Sequence, residues 1–110
     1  MRCIVEEFTN YTLIRLDGSM SDDYLRDIRA AFETSLGREL ALIVDLTEVS
    51  FISSSGLGLL FNSNSRLKAK GRKMMIAGPR DDIRRLFAVT RIENHVQLFE
   101  TLEQAISSIG

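Results

Sequence analysis

At 110 residues, with 45% hydrophobic and 26% charged side chains, the chain has the make-up of one ordinary globular domain (residues 1–110), long enough to bury roughly 65% of its unfolded surface. A formal net charge of -1 gives no pull toward nucleic acid or an anionic membrane surface, and no apolar run approaches the ~20 residues of a membrane span. One histidine and one cysteine leave no soft-ligand metal cluster, so no metal site is expected.

Met1-Arg2-Cys3-Ile4-Val5-Glu6-Glu7 reaches charge too early for a signal peptide. Cys3 has no intrachain partner, so a reducing cytoplasm is the expected compartment. Residues 3–9 and 11–17 alternate loosely and read as two strands around a turn at Thr9-Asn10, the second closed by Asp17-Gly18. Ser21 is placed to cap a helix whose first turn carries Asp22 and Asp23. Leu25, Ile28, Phe32 and Leu36 then recur at helical spacing, with Gly37 as the stop. Leu40 to Leu46 is almost continuously apolar, as in a central strand covered on both sides. Asp45 falls near its expected end and is either a ligand-site carboxylate or a group bonding the following backbone. Thr47 to Ile52 reads as a short link anchored by Val49 and Phe51.

Phe51-Ile52-Ser53-Ser54-Ser55-Gly56-Leu57-Gly58 then sets three hydroxyls between a strand and a helix that runs from Ser54 or Ser55 to about Lys70, before Gly71. A helix N-terminus presents unpaired N–H groups and the positive end of the dipole, so these serines either cap the helix or carry an anionic group such as phosphate. At ~100° per residue, Leu57, Leu60, Phe61 and Leu67 share the face expected to pack on the sheet. Leu59 shares the opposite face with Ser55, Asn62 and Arg66. It is either a singly exposed leucine or part of a partner patch beside the serines. Asn64 falls near the middle of the apolar face without an evident reason.

Lys73 to Ala77 is a further strand, ended by Gly78-Pro79. Together with residues 40–70 it makes a right-handed parallel crossover. Asp81-Asp82 open a short helix burying Ile83, Leu86 and Phe87, and Val96 to Phe99 is a last strand. Thr101 and Gln104 form a capping box for a closing helix built on Leu102, Ala105, Ile106 and Ile109. The order β-β-α-β-α-β-α-β-α predicts one α/β domain, a mixed sheet of four to five strands packed with about four helices.

Chemistry is sparse. The lone His95 lies in the charged link Arg91-Ile92-Glu93-Asn94-His95, and no serine sits in a G-x-S-x-G elbow. Gly56-Leu57-Gly58-Leu59-Leu60-Phe61 begins like a dinucleotide fingerprint but has Phe61 at the third glycine. The pairs Asp22-Asp23 and Asp81-Asp82 are explained as helix-start acids. No enzymatic activity and no cofactor are expected, which leaves recognition as the function of the serine stretch.

The tract Ile43-Val44-Asp45-Leu46-Thr47-Glu48-Val49-Ser50-Phe51-Ile52-Ser53-Ser54-Ser55-Gly56-Leu57-Gly58 resembles the signature of STAS domains, the bacterial anti-sigma-factor antagonist family. Leu16-Asp17-Gly18 and the closing Leu102-Glu103-Gln104-Ala105 extend the resemblance over essentially the whole chain. It implies a cytoplasmic transcription regulator acting by partner switching. The family's phosphorylated serine falls on Ser54, with Ser55 and Ser53 as alternatives. The implied partners are an anti-sigma factor that is a serine kinase of histidine-kinase-like fold and a metal-dependent serine phosphatase. Direct nucleic-acid contact and membrane insertion are not implied. The expected partner surface is Ser53, Ser55, Gly56, Leu59 and Asn62 with Ser21 and Asp22. The chain departs from the family pattern at Ser53, where aspartate is frequent, and at Ser21, where an acid is frequent. The other reading is a STAS module without a phosphocycle that binds a nucleotide, a lipid or a protein complex.

Overall fold

In the computed structural model, which describes residues 1–109, the elements follow the predicted order. They are β1 (Arg2–Glu7), β2 (Tyr11–Met20), α1 (Leu25–Leu36), β3 (Ala41–Ile52), α2 (Ser54–Ala69), β4 (Met74–Ala77), α3 (Asp81–Val89), β5 (Gln97–Phe99) and α4 (Leu102–Ile109). Single 3-10 turns occupy Asp22–Tyr24 and Ile92–Asn94. The five strands lie side by side in chain order. β1 and β2 form an antiparallel hairpin, and every later pair is parallel, so α1, α2 and α3 are the crossovers that parallel pairing demands.

Neighbouring strand residues point to opposite faces, which divides the core in two. Ile14, Val44 and Ile76 pack with Ile28 and Phe32 of α1, Leu60 of α2 and Phe87 of α3. Their neighbours Leu13, Ile43 and Met75 pack under Ala105 of α4, with Leu102, Ile106 and Ile109 around it. β3 is central and covered on both faces, hence its continuous apolar run. Thr101 caps α4 as expected: its hydroxyl accepts from the Gln104 N–H at 3.2 Å, and the Gln104 side chain accepts from the Glu100 N–H at 3.1 Å.

Three expectations are revised. First, Asp17-Gly18 does not end β2. Gly18 lies within the strand at φ 113, and β2 stays paired to β3 as far as Met20↔Ile52 by absorbing two register shifts; the positive φ is affordable only because glycine has no Cβ. Second, residues 47–52 are the distal half of β3 rather than a link. The register shift between Gly18↔Val49 and Ser19↔Phe51 leaves Ser50 unpaired and breaks the alternation, so Val49 is buried at 0% exposure while Phe51, two residues on, faces outward at 52%. Third, the buried face of α2 is Gly56, Leu59, Leu60, Ser63, Asn64 and Leu67. That spacing is a regular helical stripe, rotated by roughly 60° from the face drawn through Leu57 and Phe61. Leu59 is therefore a core residue at 4% exposure, and Phe61 is 40% exposed. The physical cause is that α2 lies against α1 as well as the sheet, and small residues at 56 and 63 let it approach closely.

Candidate functional site

The C-terminal ends of β2 and β3 hold the start of α2 in place. The Ser53 N–H donates to the Met20 carbonyl at 3.0 Å, carrying the chain off the sheet in extended geometry (φ -76, ψ 168). The Ser53 hydroxyl then accepts from the Gly56 N–H at 3.0 Å, and the Leu57 N–H donates to the Ser53 carbonyl at 2.9 Å. Ser53 is thus the N-cap. Gly56 is buried with no room for more. A Cβ there would lie 3.0 Å from Ile52 Cγ2 and 3.2 Å from the Met20 carbonyl oxygen, so the first turn of α2 sits directly on the strand ends.

With the cap assigned to Ser53, Ser54 and Ser55 become the first two residues of α2, both exposed. Their N–H groups precede any helical carbonyl that could accept from them. The first turn of α2 carries no acidic residue, whereas α3 has Asp81 and Asp82 and α4 has Glu103. The positive end of the α2 dipole is therefore not offset by a carboxylate of its own.

Ser21 and Asp22 directly follow Met20, so the Met20–Ser53 bond brings them to the same edge as the serines. Ser21 precedes the 3-10 turn but makes no side-chain capping bond, and α1 itself begins at Leu25. Asn62 is exposed on α2. Leu59 does not join this surface, because its side chain is in the core. The residues that do open outward there are Gly58, where a Cβ would meet nothing within 4 Å, and Phe61. No signal within α2 marks this rotation, because small residues stand at the exposed positions 54, 55, 58 and 65 as well as at the buried positions 56 and 63.

Asp45 turns out to be structural. It lies within β3 at 7% exposure, where its carboxylate accepts from the Thr47 N–H at 3.0 Å and from the Thr47 hydroxyl. Arg15 approaches its other oxygen at 3.6 Å. Asn64 also acquires a reason: its amide donates to the His95 carbonyl at 2.9 Å, pinning α2 to the segment before β5. The His95 ring meets Phe61 edge-on at 5.3 Å. Among the described residues, no three His, Cys, Asp or Glu side chains are grouped to hold a metal ion, and no helix is long and apolar enough to cross a membrane.

The STAS domain model matches residues 2–105. The chain is 27% identical over 96 residues to the anti-sigma-B factor antagonist of Listeria monocytogenes, spanning 86% of this chain and 84% of that protein. It is similar in structure to the Bacillus cell fate determinant SpoIIAA in its phosphorylated form, with a TM-score of 0.79, 25% identity, and 99% and 100% of the two chains covered. An anti-sigma factor antagonist from Mycobacterium paratuberculosis shares the fold at a TM-score of 0.89 and 20% identity, over 98% and 92% of the chains.

Proposed function

This chain belongs to the STAS domain family, and on that footing we propose that it is an anti-sigma factor antagonist switched by phosphorylation of Ser54. In its unphosphorylated form it binds an anti-sigma factor, itself a serine kinase of histidine-kinase-like fold, and so frees the sigma factor. The kinase phosphorylates Ser54, and a metal-dependent serine phosphatase restores the binding form. The observation that carries this reading is the division of roles between adjacent serines: Ser53 caps α2, leaving Ser54 exposed and unneeded for the cap.

Phosphate adds about -1.5 to -2 charges at pH 7. On the N-terminus of α2, whose own first turn carries no acid, that charge is favourable, so the fold tolerates it. In a docked interface the same charge must be desolvated and meets the partner's own carboxylates or apolar surface, so binding weakens. Ser53 fits the scheme where aspartate is frequent in the family. Either side chain caps, and the neutral hydroxyl adds no repulsion beside Ser54.

Intact-mass measurement after incubation with ATP and the cognate kinase tests the proposal. One added phosphate is expected on the parent chain and none on Ser54→Ala. A phosphorylated species that persists in Ser54→Ala would move the switch to Ser55 or Ser53, and no added mass at all would remove the phosphocycle.

A further inference from the structure

At the end of α2 remote from Ser54, Lys68, Arg72, Lys73 and His95 surround a cleft of about 190 Å³ whose inner wall includes Asn64 and Met74. Asn64 and Lys68, the cleft residues on α2, lie 10 and 14 residues beyond Ser54, which at 1.5 Å each is about 15–21 Å along the helix. No carboxylate lines the cleft. Elsewhere Arg2, Arg26, Arg29, Lys70, Arg85 and Arg91 form no ion pair among the described residues, and Arg15, Arg38, Arg66, Arg80 and Arg84 each face an acid. Around the cleft only Arg72 does, reaching at 3.7 Å a Glu39 side chain that is itself 91% exposed. Lys68 and Lys73 form no ion pair among the described residues.

The helix dipole accounts for part of this charge, since Lys68 stands in the last turn of α2. It does not account for Arg72 and Lys73, which lie beyond the helix on the link to β4. The wall is held rather than fluid: Asn64 is 3% exposed, and its amide is bonded to the His95 carbonyl. Lys68, Arg72 and Lys73 border one cleft, and charges act on a shared ligand over a Debye length of about 8 Å at physiological salt. The volume lies below the ~300 Å³ at which pockets for drug-sized ligands begin, so the occupant is small.

We infer that this cleft binds a small soluble phosphate-bearing anion, with Lys68 and Lys73 as point charges and Arg72 as a planar donor fork. The site is independent of Ser54 and of the partner switch.

The test is an amide NMR titration of the full chain with inorganic pyrophosphate at low and at physiological salt. Saturable shifts centred on Asn64, His95 and Gln97, weaker at the higher salt and unchanged in Ser54→Ala, are expected. The double variant Lys68→Ala/Lys73→Ala should weaken binding about tenfold or more with little change in Tm, since both side chains are exposed. Absence of saturable shifts, shifts centred on Ser54 to Gly56, or full affinity in the double variant each overturns the assignment. So does co-sedimentation with phosphatidate vesicles that pyrophosphate cannot compete away, which would give the cleft to a lipid headgroup.

Discussion

Replacing Ser53 with alanine removes the oxygen that accepts from the Gly56 N–H and should lower stability by about 1 kcal/mol in urea unfolding. Ser54→Ala removes an exposed hydroxyl outside the cap and should stay within about 0.5 kcal/mol of the parent. Equal losses at the two positions would mean the cap is shared. Gly58 makes a complementary case. It is exposed, inside a helix, with open space where a Cβ would go, so Gly58→Ala should stabilise by roughly 0.5–1 kcal/mol. If that variant also binds the anti-sigma partner less tightly, the bare backbone at 58 serves the interface rather than the fold. Leu59→Ala, by contrast, should lose about 2–5 kcal/mol, since Leu59 fills the core between α2 and its neighbours.

α1 and α2 lie side by side and are joined at their surface by Glu33 and Arg66, whose forked guanidinium spans both carboxylate oxygens. The hydrogen bond from Arg66 is the largest cause of the lowered Glu33 pKa, below the ordinary 4.5. A depressed carboxylate pKa stabilises the fold at pH values above the unfolded-state value, and that contribution disappears as pH falls through the folded-state value. Both side chains are solvent-exposed, so the contribution is small and weakened by salt. Glu33→Gln should therefore be slightly less stable than the parent at neutral pH in low salt, with the gap closing in acid; a gap that persists at low pH would assign the difference to packing. The Asn64 bond to the His95 carbonyl couples α2 to the start of β5 more tightly, because Asn64 is buried. Asn64→Ala should lose about 1–3 kcal/mol.

Across the whole molecule, the start of α2 is supported from beneath by the ends of β2 and β3, so a charge on Ser54 has no packed element to displace. Ser54→Asp should accordingly leave Tm nearly unchanged while weakening anti-sigma binding, by up to about a hundredfold for a few kcal/mol of lost contact energy. Parent-like binding by Ser54→Asp would count against electrostatic release. Much of this architecture was legible beforehand from patterns that act locally. The apolar spacing of Leu25, Ile28, Phe32 and Leu36, the doubly covered run of β3, the Thr101 cap and the order of elements all depend on neighbours in the chain, and all appear in the structure. The family likeness and the serine stretch were legible for the same reason, as a contiguous motif. The division of roles between Ser53 and Ser54, the burial of Leu59 and the outward turn of Phe61 and Phe51 were not. Each depends on which oxygen, helix or strand arrives from elsewhere: the Met20 carbonyl that orients Ser53, the α1 surface that draws the buried stripe through Gly56 and Ser63, and the shifted β2 register that carries β3 on to Ile52. Periodicity reports how one segment alternates, but the phase of that alternation against its neighbours is set only when the segments pack.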